Sequence, residues 1–80
     1  MNDRLIEALD KAVSAATEPS LKMSLRTGEV VGYDAGVLVL GFNTNFHRNK
    51  VRAFRNKLLY LLDELVPVHQ IVCLKLKDNG

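Results

Sequence analysis

Between Thr44 and Lys57 the sequence places five basic side chains, Arg48, Lys50, Arg52, Arg55 and Lys57, and no acid, although the whole chain carries only +2. Guanidinium and ammonium groups at this density attract phosphates, carboxylates or an acidic protein surface. On a helix, Arg48, Arg52 and Arg55 follow one another at steps of four and three and form one row, while Lys50 and Lys57, seven apart, fall on another flank. Phe46, Val51 and Phe54 are expected to turn inward between them. Phe46, His47, Arg48, Lys50, Arg52, Arg55 and Lys57 together make the candidate contact region, for a protein partner or for phosphates. The free N–H groups and dipole of the helix N-terminus, residues 45–48, would add to the attraction for an anion. The plain alternative is a solvated helix face whose long stems cover the edge of the core.

Little else in the chain has the spacing of a reactive site. There is no Gly-x-x-x-x-Gly-Lys-Ser/Thr loop, and the glycines at 28, 32, 36 and 41 sit in or beside a hairpin without opening a helix. Two histidines, His47 and His69, fall short of a zinc ligand set, and one cysteine, Cys73, allows neither an intramolecular disulfide nor a thiolate cluster. Cys73 stands between Val72 and Leu74 and reads as a small buried hydrophobe. Ser20 and Ser24 flank Lys22, but the Ser-x-x-Lys order is missing. Asp63 and Glu64 have no pocket-forming neighbours and read as solvated. The reading is a domain without catalytic residues and without a cofactor.

Eighty residues make one small domain, since a chain of this size cannot divide its core. The 48% hydrophobic and 25% charged fractions are those of a folded globular chain rather than a disordered one. No apolar run approaches the ~20 residues of a bilayer span, and Asp3, Glu7 and Asp10 make the N-terminus unlike a signal peptide. A cytoplasmic, membrane-free setting is expected.

The elements that must carry the basic residues can be read from periodicity. Leu5, Ile6, Leu9, Ala12, Val13 and Ala16 recur at helical spacing opposite Arg4, Glu7, Lys11 and Ser14, with Asn2 or Asp3 as N-cap. Thr17 is a candidate cap for a second, short helix in which Pro19 fits the first turn, ending before Gly28. The alternation of Leu21, Met23 and Leu25 suits a strand as well; the proline favours the helix. Residues 29–33 and 37–42 are β-rich and flank Asp34-Ala35-Gly36, a hairpin turn. Asn43, Thr44 or Asn45 then caps a long helix over about 46–65, with Val51, Phe54, Leu58, Leu61, Leu62 and Leu65 as its buried stripe. Pro67 stops it, and residues 68–76 form a last strand with Ile71, Cys73 and Lys75 on one face and Val72, Leu74 and Leu76 on the other. Residues 78–80 read as a frayed end. The expected fold is α+β, in the order α-α-β-β-α-β: a three-stranded sheet containing an antiparallel pair, packed on one face by two helices, as in small K-homology-like domains. The Gly-x-x-Gly loop of RNA-binding members is missing.

The run Val37-Leu38-Val39-Leu40-Gly41-Phe42, the pair Phe46-His47 with Lys50 three residues later, the Asn56-x-Leu58 step and Val72-Cys73 resemble the domain that follows the ATPase core in gamma/tau subunits of the bacterial DNA polymerase III clamp loader. The arrangement is also similar to the N-terminal interaction domain of the bacterial replication initiator. The resemblance implies a non-catalytic module that docks other replication proteins, polymerase or helicase subunits among them. The chain lacks the phosphate loop and the zinc module of a whole gamma/tau subunit, so the ATPase is not expected here. The rival reading is a binder of single-stranded or duplex DNA that uses the basic helix. An exposed edge strand, 68–76 or 29–33, offers a route to a homo-oligomer.

Overall fold

The computed structural model describes residues 3–77; the expected cap at Asn2 and the frayed end at 78–80 lie outside them. Helix α1 spans Asp3–Ala15, α2 Pro19–Thr27, strand β1 Glu29–Asp34, β2 Val37–Phe42, helix α3 Asn45–Asp63 and strand β3 Gln70–Lys75. The order and class are those expected, α+β with one three-stranded sheet. Pro19 does start a helix, and the residue before it, Glu18 rather than Thr17, takes the extended N-cap conformation. That shift follows from the proline, which forces its predecessor out of the helical region.

The sheet is mixed, with β2 in the centre, antiparallel to β1 and parallel to β3. A hairpin joins the first pair, and α3 is the crossover that the parallel pair requires. Leu38, Leu40 and Phe42 point from β2 into the core, where they meet Val51, Leu58 and Leu62 of α3 and Leu5, Ala8 and Ala12 of α1. Helix α3 lies on β2 and β3, and α1 and α2 both pack against α3. On the first helix the buried line is Leu5, Ala8, Ala12 with Ala16 beyond its end, so Ile6 is 40% exposed. The hydroxyl of Tyr33 donates to the carbonyl of Pro67 at 2.8 Å, tying β1 to the segment that brings the chain from α3 to β3.

The opposite face of the sheet carries no helix among the described residues. Cross-strand register puts Val37 beside Gln70, Val39 beside Val72 and Gly41 beside Leu74 on that face. Val31 is bulged out of β1 and joins them. A side chain at Gly41 would come within 2.6 Å of Leu76 and 2.9 Å of Val31, so these two residues close over the glycine. The uncovered face is thus an apolar surface of Val31, Val37, Val39, Val72, Leu74 and Leu76.

The hairpin turn has positive φ at both central residues, 51° at Ala35 and 79° at Gly36. That is the type I′ geometry whose twist matches paired strands, and it suits Gly36 but not Ala35. Ala35→Asn would create the preferred Asn-Gly pair and relieve the left-handed alanine. It is expected to raise stability by about 1 kcal/mol in urea denaturation; an unchanged midpoint would show that Ala35 carries no strain.

Candidate interaction surface

Helix α3 begins on Thr44, which is extended and whose hydroxyl accepts from the amide of His47 at 3.2 Å. The amide of Arg48 donates to the carbonyl of Thr44 at 3.1 Å. Two of the first N–H groups expected to face an anion are therefore taken by the cap, and the helix terminus is a weaker anion site than the sequence suggests.

The seven residues of the candidate region divide between two flanks of the helix. On the flank towards α2, His47 Nδ1 lies 2.8 Å from the hydroxyl of Ser24, a fully buried side chain. Lys50 forms an ion pair with Glu18, whose other contact is the hydroxyl of Ser20. Lys50 and then Ser20 hold the Glu18 carboxyl below its ordinary range. His47 and Lys50 thus fasten α3 to α2 and its N-cap. A carboxyl whose pKa is lowered in the folded state stabilises fully above its unfolded value and loses that contribution as pH falls through the lowered one. Acid destabilisation setting in below about pH 4.5 should therefore be shallower in Glu18→Gln. An identical pH profile would remove Glu18 from the account.

Ser24 and His47 are a second test of the same seam. Ser24→Ala leaves the His47 nitrogen half-buried without its partner, and the loss expected is about 1–2 kcal/mol. Paired with His47→Ala, it should give a coupling energy near 1 kcal/mol; additive losses would mean the contact contributes nothing.

Phe46 is 63% exposed, contrary to the inward orientation expected. Its ring meets that of His47 edge to face, with centroids 5.3 Å apart. The inward place in the first turn belongs to His47, four residues before the buried Val51, whereas Phe46, five before it, is rotated off the stripe. Phe54 is half-buried against the core, as expected. Lys57 is exposed and lies off the arginine row.

On the other flank Arg48, Arg52 and Arg55 run beside β3. All three guanidinium groups are near enough to act on Cys73, whose thiol burial pushes up against their opposing pull. Arg55, Asn56 and Leu59 line a groove of about 230 Å³ with His69, Gln70 and Ile71. Arg52 and Arg55 are exposed and Arg48 half-exposed. The ion pairs among the described residues are Lys11 with Glu7 and Lys50 with Glu18, so none of the three arginines has an acidic partner there. The Nε atom of Arg48 is shielded from solvent and has no acceptor. Chemically, this flank offers three cations without an acidic partner beside one strand, on the helix side of the sheet.

The remaining reactive side chains are dispersed. His69 lies over the Gly36 turn, where a Cβ on the glycine would be 2.2 Å from its ring, and its amide donates to the Gly36 carbonyl at 2.8 Å. No group of three or more metal-ligating side chains occurs among the described residues, and no helix there is long and apolar enough to cross a membrane. The chain matches no family model, no curated protein and no solved structure.

Proposed function

We propose that this chain is a non-catalytic docking domain of the bacterial replication machinery, recognising a protein partner through the row Arg48, Arg52 and Arg55. The observation that carries this reading is the row itself: three arginines on one flank of α3 without an acidic neighbour, while Lys50 and His47 of the opposite flank are engaged in holding α2. Ser24, the hydroxyl bonded to His47, is fully buried and out of a substrate's reach, and burial pushes the Cys73 thiol up, which supports the non-catalytic reading. The assignment to replication rests on the sequence resemblance to the clamp-loader domain, which contributes the class of partner: polymerase, helicase or clamp-loader subunits of the cytoplasm.

The unpartnered arginines also suit phosphates, which makes nucleic acid the second reading. Its weakness is the placement of the aromatics. Of the five, Phe46 and Tyr60 are the well exposed ones, and both stand on helix faces away from the arginine row. Bases entering the basic flank would meet no phenylalanine or tyrosine ring, and the ring beside Arg55 is the smaller imidazole of His69. Fluorescence anisotropy with labelled single-stranded and duplex DNA, at low and at physiological salt, separates the two. No binding at concentrations of tens of micromolar is expected. Affinity that falls with salt by a slope of several ions would replace the protein-docking reading with the phosphate one.

A further inference from the structure

Strand β3 is an edge of the sheet among the described residues. The amide of Leu76 donates to the carbonyl of Phe42 at 2.8 Å, and that of Gln70 reaches the carbonyl of Gly36 at 3.3 Å. Backbone direction alternates along a strand, so Gln70, Val72, Leu74 and Leu76 turn their polar groups to β2, while those of Ile71 and Cys73 point away from it. An edge of this kind is a template for a further strand, and proteins usually blunt it with bulges, prolines or charge at the edge itself. Here the bulge is on β1, at the opposite edge. One charge, Lys75, ends β3 itself on its helix side, and the rest stands above the strand, on the arginine flank of α3.

Resting on the docking reading above, we infer that the occupant of this edge is an extended peptide with acidic side chains at alternate positions and apolar ones between, added to β3 as a fourth strand. Side chains of the new strand would alternate between two surroundings. Those on the helix side would lie under Arg48, Arg52 and Arg55, which span about 10 Å of helix, seven residues at ~1.5 Å each. Same-face residues of a strand are roughly 6.6–6.8 Å apart, so two or three carboxylates can each meet a guanidinium within the play of the arginine stems. Those on the other side would continue the apolar surface of Val72, Leu74 and Leu76. Alternating acid and apolar residues satisfy both surroundings at once, and main-chain hydrogen bonds to Ile71 and Cys73 fix the register.

A second copy of this chain pairing β3 to β3 is a poor occupant. Both helix layers would lie on the same side of the joined sheet, setting one arginine row against the other. An acidic strand removes the same conflict instead of creating it.

The probe is a labelled peptide of about seven residues, long enough to span β3, alternating glutamate with valine. It is titrated by anisotropy into the intact chain beside a peptide of equal composition with the glutamates and valines in separate blocks. The alternating peptide should bind about tenfold or more tightly than the block peptide, and Arg52→Glu with Arg55→Glu should abolish the difference. N-methylation of one set of alternate amides should remove binding, while methylation of the other set, which faces solvent, should leave it. Equal binding of both peptides, indifferent to either methylation, would overturn edge pairing and leave docking by charge in place. Absence of peptide binding with retained binding to a replication subunit would likewise remove the edge and keep the docking reading. Absence of peptide binding with salt-steep DNA binding would remove both.

Discussion

Phe42→Ala is expected to lower stability by about 3–5 kcal/mol, the range for emptying an aromatic site in a core that relaxes only in part. Phe42 has no exposed surface, ends the central strand and has its ring against Gly28. A domain of 80 residues has roughly 4–12 kcal/mol of total stability, so this one substitution removes a large share of it and can leave the chain unfolded at ordinary temperature. Phe46→Ala, four residues on, is expected to shift stability by no more than about 0.5 kcal/mol, because the ring is mostly in water. Urea denaturation of the two variants in parallel checks both. A comparable loss at Phe46 would mean that the first turn of α3 is buried, and the division of that helix into two flanks would be wrong.

The second large effect concerns binding. Arg52→Glu with Arg55→Glu reverses two of the three charges beside β3 without touching the core, since both residues are exposed. Stability should change by under about 1 kcal/mol, surface substitutions being small in effect. Affinity for the protein partner should fall by about a hundredfold or more, because each reversal replaces an attractive contact with a like-charge one against an acidic surface. Lys50→Glu and Lys57→Glu form the control on the opposite flank. Lys50→Glu costs stability through its lost ion pair, but neither should reduce affinity comparably. Circular dichroism beside the binding titration separates loss of fold from loss of contact.

Much of this fold is legible because its signals are local. The turn residues Asp34, Ala35 and Gly36 mark the hairpin, Pro19 chooses helix over strand for α2, and Thr44 with the stripe from Val51 to Leu65 defines α3. The parallel pairing of β3 with β2 then follows from the helix between them, since a crossover brings the chain back to the same end of the sheet. Orientation within α3 is legible only in part. Counting back from Val51 puts His47 inward and Phe46 outward, yet the hydrophobicity of phenylalanine points the other way, and geometry decides.

The division of the basic residues needed the tertiary structure. Lys50 is engaged by Glu18 and His47 by Ser24, partners 32 and 23 residues away. Nothing in the spacing of α3 announces them. Composition shows a cluster of five cations, whereas the fold shows three arginines along a strand edge and two lysines elsewhere. The uncovered apolar sheet face was likewise present in the alternation of Val72, Leu74 and Leu76, but alternation alone does not say which face the helices take. The replication assignment remains a proposal from the motif resemblance; the site geometry contributes the chemistry of the contact.

The most direct test is an NMR titration of the isotopically labelled chain with purified polymerase, helicase and clamp-loader subunits, one at a time. The account predicts that one of them perturbs the amides of Arg48, Arg52 and Arg55 together with those of β3, Gln70–Lys75, leaving α1 and α2 unmoved. Perturbations confined to the α2 flank, around His47 and Lys50, or no perturbation by any of the three, would contradict it.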